Sequence, residues 1–173
     1  MPPERDQRPI PSGRVVGDAP RPMRSVSAST RLRKRVAGRL LAGRADRSAA
    51  MGSGHVARVA AVLAAWVAAG GRSHLWGEGL TGFWRARLEA YGVTVTDGRL
   101  GDADFMTALH QRDPAAVVID GYHFGPARLE PLSERWPVLA MDDHAHFPHP
   151  AQVVLNQNPR FSAADYGLGS GQR

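Results

Sequence analysis

With 173 residues, 43% of them hydrophobic, the chain has material for one cored domain and little more. It holds no cysteine, which excludes disulfides, thiolate metal sites and a thiol nucleophile. The net charge of +6 is unevenly placed: residues 1–44 carry 11 Lys and Arg against 3 acidic residues, a net +8, which leaves −2 for residues 45–173.

Residues 1–35, rich in Pro and Arg, are therefore expected to form a disordered basic tail. The run Arg31-Leu32-Arg33-Lys34-Arg35 offers contact with nucleic acid or a membrane surface as the alternative. The near-neutral remainder argues against nucleic acid as the partner, and an internal start at Met23 would remove most of the tail. No apolar run approaches the roughly 18 residues of a membrane span, and no signal-peptide core follows the first residues. A cytoplasmic protein with no membrane partner is expected.

From Val36 the pattern alternates. Val36–Gly43 reads as a first strand. His55 to Ala69 carries Val56, Val59, Ala60, Leu63, Trp66 and Val67 at helical spacing, with Gly70-Gly71 as the stop. Ser73–Trp76 reads as a short strand, Leu80–Tyr91 as a helix, and Val93–Val95 as a strand. Asp102 is positioned to cap a helix bearing Phe105, Met106 and Leu109. Ala115–Ile119 is an apolar, buried type of strand, and Pro126 opens a helix that runs to Trp136. Val138–Met141 and Val153–Leu155 complete the strands. Strands alternating with helices predict parallel β-α units in a doubly wound sheet, with ligands at the strands' carboxyl ends. Those ends carry Arg44 and Asp46, Asp120 and Tyr122, and Asp142-Asp143, so one crevice is expected to collect them.

The segment Met51-Gly52-Ser53-Gly54-His55-Val56-Ala57-Arg58 follows the first strand and opens the first long helix. Gly52 and Gly54 permit a tight turn and close approach to a ligand, beside the free N–H groups of the helix start. A histidine there feels the positive end of the helix dipole, which favours a neutral imidazole able to accept a proton from water. The plain alternative for His55 is a capping or core histidine. The loop is neither a P-loop nor a dinucleotide fingerprint, because no Gly-Lys-Ser/Thr follows and Ala57 stands where a third glycine would.

Two further groups stay open on the residues alone. Asp120 is a carboxylate facing the crevice or the start of an Asx turn, and Asp142-Asp143 are an acid/base pair or a turn cap with a solvated neighbour. His144, His146 and His149 lie beside those carboxylates, a His and Asp set with which a divalent metal is conceivable, but Phe147, Pro148 and Pro150 break any regular presentation of imidazoles. Neither a metal nor an organic cofactor is expected.

Taken in order, Arg44-Ala45-Asp46-x4-Met51-Gly52-x-Gly54-His55-Val56-x-Arg58, Val118-Ile119-Asp120-Gly121-Tyr122, Ala140-Met141-Asp142-Asp143 with His149, and Val154-Leu155-Asn156-Gln157-Asn158 resemble one family. It is the UDP-2,4-diacetamido-2,4,6-trideoxy-β-L-altropyranose hydrolases of pseudaminic acid biosynthesis, together with the related spore-coat polysaccharide proteins. The resemblance spans about Leu40 to Tyr166. It implies residues 36–166 as the Rossmann-like N-terminal half of a glycosyltransferase-B-like architecture, with residues 167–173 a flexible end.

The implied reaction is metal-free attack of water on the anomeric carbon of a UDP-sugar. His55 would be the base and Tyr122 would lie near the sugar, with Arg44, Asp46, Gly52, Gly54, Arg58, Asp120 and Asp143 binding substrate. In that family a second domain supplies most nucleotide contacts, and no such domain precedes Arg173. A separately encoded C-terminal domain is thus an expected partner, and the chain alone is expected to be incomplete. The alternatives are a glycosyltransferase half of the same architecture, or a non-catalytic remnant.

Overall fold

The computed structural model describes residues 25–158 and 160–167. Residues 1–24, with Met23 and most of the expected tail, lie outside the described residues, as do residues 168–173. Helix α1 runs over Ser25–Val36, so the end of the stretch read as tail, and the first residue read as strand, are helical here. Arg33, Lys34 and Arg35 sit in its last turn, where cations complement the carbonyl end of a helix. Gly38, at φ 68, then turns the chain, and its N–H donates to the Gly70 carbonyl (2.9 Å). Strand β1 therefore begins at Leu40 and runs to Ala45.

The remaining elements follow in the expected alternation: α2 (Gly54–Ala68), β2 (Arg72–Gly77), α3 (Phe83–Ala90), β3 (Val93–Asp97), α4 (Asp102–Arg112), β4 (Ala116–Asp120), α5 (Pro126–Arg135), β5 (Val138–Met141) and β6 (Val153–Leu155). A one-turn 3₁₀ helix over Ala163–Tyr166 closes the described chain. Two boundaries differ from the sequence pattern. Leu80 precedes α3, buried, with its N–H donated to Asp97 Oδ1 (2.8 Å). Asp102 is the first residue of α4 instead of its cap; Gly101 holds the cap position, and Asp102 pairs with Arg128 on α5 (2.9 Å).

All six strands are parallel, in the order β3-β2-β1-β4-β5-β6. The chain winds outward from β1 in both directions, so the switch point lies between β1 and β4. Strand alternation sends residues to two cores. On one face Leu41, Leu75, Val118 and Met141 meet Val56, Val59 and Leu63 of α2 and Leu88 of α3. On the other, Ala42, Trp76, Val117, Ile119 and Ala140 meet Phe105 and Leu109 of α4 and Leu129 and Leu132 of α5. The molecule is a Rossmann-like, doubly wound α/β fold.

Gly43 sets how closely α2 lies on the sheet. A Cβ built there would stand 2.8 Å from Leu63 Cδ1 and 3.1 Å from both Leu75 Cδ1 and Val59 Cγ1. A larger residue would have to turn the Leu63 methyl aside or lift the helix.

Candidate functional site

The end of β4, the start of α2 and the end of β5 meet at the carboxyl edge of the sheet. His55 and Arg58 lie three residues apart on α2 and so share a face. Asp120 ends β4 on the α2 side, because Val118 two residues earlier packs into the α2 core. Asp143 has the same parity as Met141, which also faces α2.

These four side chains form one network, with His55 and Asp120 buried and Arg58 and Asp143 partly exposed. His55 Nδ1 stands 2.7 Å from Asp120 Oδ1, with side-chain exposures of 4% and 1%. Arg58 donates to Asp120 from Nε (2.8 Å to Oδ2) and from Nη2 (3.0 Å to Oδ1), a two-pronged grip on one carboxylate. Its third nitrogen, Nη1, donates to Asp143 Oδ2. Burial opposes the guanidinium charge, yet the hydrogen bonds and charges of Asp120 and Asp143 outweigh it and hold Arg58 above its ordinary pKa.

A hydrogen bond at 2.7 Å between His55 Nδ1 and the Asp120 carboxylate places a proton on Nδ1, and in the neutral ring Nε2 then carries the lone pair. Nothing among the described residues hydrogen-bonds that Nε2. The Tyr122 ring meets the imidazole edge-on, centroids 4.5 Å apart, and Tyr122 is itself 62% exposed. His55 is thus held across the fold by Asp120 and does not cap its own helix. Ser53 occupies the cap position without a side-chain hydrogen bond.

Beside this network is a cavity of about 360 Å³, lined by Arg58, Asp120, Tyr122, Asp142, Asp143 and the imidazoles of His144, His146 and His149, among others. His55 is not part of the lining; it lies behind Tyr122, whose ring it touches. The Tyr122, His144 and His146 rings follow one another at centroid spacings of 5.1 Å. Asp142 caps a turn, its Oδ1 accepting from the His144 N–H (2.8 Å), while its Oδ2 is buried without a hydrogen-bond partner among the described residues. Burial holds His149 below the usual histidine pKa, against the opposing pull of Asp142. Among the described residues no three His, Asp or Glu side chains converge as a metal shell.

Arg44 and Asp46 end in a different cluster. Asp46 accepts from Arg44 Nη2 (3.2 Å), from the Glu78 N–H (2.8 Å) and from His123 Nε2 (3.0 Å). Burial works against this carboxylate, but the His123 and Glu78 hydrogen bonds and the Arg44 charge hold it below the ordinary aspartate range. Arg44 also donates to the Leu100 carbonyl (3.1 Å) and lies over the Phe105 ring. Asp46 thereby ties the ends of β1 and β2 to the loop that carries Tyr122.

In the glycine loop, Gly52 has φ 71, a conformation that favours glycine, and its N–H donates to the Ser48 carbonyl. Gly54 has no such backbone requirement, and a Cβ there would meet nothing within 4 Å.

The cavity also gathers Asp142, which the sequence left open between acid/base partner and turn cap, and His144, His146 and His149, which it placed beside the carboxylates without a regular presentation. Their position directly after β5, at the same sheet edge as Asp120, is the signal that brings them together. Among the described residues no helix is long and apolar enough to cross a membrane. No protein-family model matches the chain, and no curated protein matches it either.

Proposed function

We propose that this chain is the N-terminal half of a nucleotide-sugar hydrolase of the glycosyltransferase-B-like type, with His55 as the base. The observation that carries the reading is the buried His55–Asp120 pair at the N-terminus of α2, which leaves Nε2 as the imidazole's acceptor beside the exposed Tyr122. His55 Nε2 takes a proton from water as the water oxygen bonds to the anomeric carbon. The bond from that carbon to the phosphate oxygen breaks, and uridine diphosphate leaves as the stable anion. The acidic, ring-walled cavity beside Tyr122 suits a hydroxyl- and amide-bearing sugar, while the diphosphate is met by a second domain.

The test is release of uridine diphosphate from the UDP-sugar by the full chain, assayed alone and with a complementing C-terminal domain. Release is expected in the complemented assembly, and His55→Ala is expected to lower it by about 10²- to 10⁴-fold, the usual contribution of a positioned base. Unchanged release in His55→Ala would remove His55 from the mechanism. Sugar recovered on an acceptor, and not free, would turn the reading from hydrolysis to transfer.

A further inference from the structure

The resemblance places Arg58, Asp120 and Asp143 among the groups that touch substrate. Their geometry gives them other work. We infer that Arg58 and Asp143 are positioning residues that act through Asp120 to hold His55 in the Nδ1–H tautomer. This rests on the reading of His55 as a base only for its kinetic consequence.

Two tautomers compete at His55. With the proton on Nε2, Nδ1 could accept from Arg58 Nη2, which lies 3.1 Å away. That choice would set two acceptors, Nδ1 and Asp120 Oδ1, face to face at 2.7 Å. With the proton on Nδ1, the 2.7 Å contact becomes a charge-assisted hydrogen bond. Arg58 Nη2 then gives its hydrogen to Asp120 Oδ1 at 3.0 Å instead.

The second arrangement holds only while the Asp120 carboxylate keeps its plane and Arg58 keeps its aim. The paired contacts from Nε and Nη2 fix the carboxylate plane, which a single contact would leave free to turn. Asp143 fixes the guanidinium by engaging Nη1. Each of the three nitrogens of Arg58 thereby donates to a protein carboxylate, the contacts of an orienting group.

The relay spans three elements: His55 and Arg58 on α2, Asp120 at the end of β4, and Asp143 just past β5. Lysine cannot reproduce a planar fork, so Arg58→Lys keeps the charge and removes the orientation. Asp143→Asn keeps the shape and weakens the hold on Nη1. Its side chain is 21% exposed, so it is the milder change to the fold.

The experiment is nitrogen-15 NMR of the histidine rings in the full chain, with His55 assigned by its loss in His55→Gln. The wild-type signal is expected to show the Nδ1–H tautomer, and Arg58→Lys and Asp143→Asn to shift it to a mixture. The His74 ring signals, unchanged in both variants, report an intact fold. A wild-type Nε2–H tautomer, or His55 signals unmoved in both variants, overturns the inference.

A second arm uses the complemented assembly, where Asp143→Asn is expected to lower kcat at least tenfold with KM nearly constant. A raised KM at constant kcat would make Asp143 a substrate ligand and overturn the inference. If the wild-type assembly releases no uridine diphosphate, the proposed hydrolysis fails while the tautomer arm still decides the relay.

Discussion

At the scale of single residues, charge pairs here differ in worth because they differ in burial. Removing Asp120 takes the two-pronged partner from Arg58 and the carboxylate from buried His55, leaving Asp143 as the guanidinium's remaining partner. Asp120→Ala is expected to cost about 1–3 kcal/mol in urea unfolding. The exposed Arg85–Glu89 pair on α3, at 3.4 Å, has the same formal charges, yet Glu89→Ala is expected to change stability by less than about 0.5 kcal/mol. Equal losses in the two variants would sink the idea that the network is desolvated.

His74 gives a pH prediction. On β2 it lies between the Thr94 and Thr96 hydroxyls, each at 2.8 Å, and stacks on Trp76. Burial first, and the charge of Arg112 second, push its pKa down from 6.5 to about 4. The folded state therefore binds fewer protons than the unfolded chain between those values. The stability contributed by the neutral ring is complete above about pH 6.5 and is lost as pH falls toward about 4, by at most about 1.4 kcal/mol per pH unit. In urea titrations across this window, His74→Gln is expected to flatten that part of the acid-side loss. An unchanged slope would assign the loss to other groups.

At the scale of elements, most of the alternation was legible because each helix and strand carries its own period. The apolar spacing of α2 and the β-branched run at β3 needed no tertiary context. The boundary at α1 and β1 did not show, because Val36 is apolar and adjoins Ala37 as a strand residue would. The turn at Gly38 and its bond to Gly70, just past the end of α2, decide it, and that bond joins residues distant in sequence. Gly43 was equally silent: a glycine within a strand reads as weakness until the helix above it is placed. Gly43→Val is expected to destabilise by about 1–3 kcal/mol through overpacking against Leu63, measured as a lower urea midpoint. A variant as stable as the parent would mean that α2 is free to ride up.

At the scale of the whole molecule, alternation foretold a doubly wound sheet but not how its edge is divided. One crevice was expected to gather every polar group at the strand ends. Instead, Arg44 and Asp46 follow the parity of Ala42, which faces α4 and α5, whereas Asp120 follows Val118 toward α2. The two sets meet different partners for that reason. Parity is written in the sequence, but its meaning requires knowing which helix covers which face.

The far edge shows the same dependence on long-range contact. The Tyr166 hydroxyl donates to the Asp142 carbonyl (2.9 Å) and accepts from Asn156 Nδ2, so the closing turn pins the 142–152 connection that walls the cavity. Burial, with the nearby Asp142, holds the phenol pKa above its usual value. Tyr166→Phe is expected to cost about 1–3 kcal/mol and to speed amide hydrogen exchange in residues 142–152 selectively. Uniform exchange across the sheet would show that the turn does not hold this wall.

The glycine at position 43 has one more effect, at a distance. Val59 and Leu63, which pack over it, belong to the helix that carries His55 on its first turn, opposite Asp120 at the end of a neighbouring strand. A side chain added at position 43 meets the Leu63 methyl first, and whatever crowding Leu63 does not absorb by turning is passed to α2 and so to the distance between imidazole and carboxylate. Strain in the middle of the sheet thereby has a route to the His55 pair that touches no residue of the site.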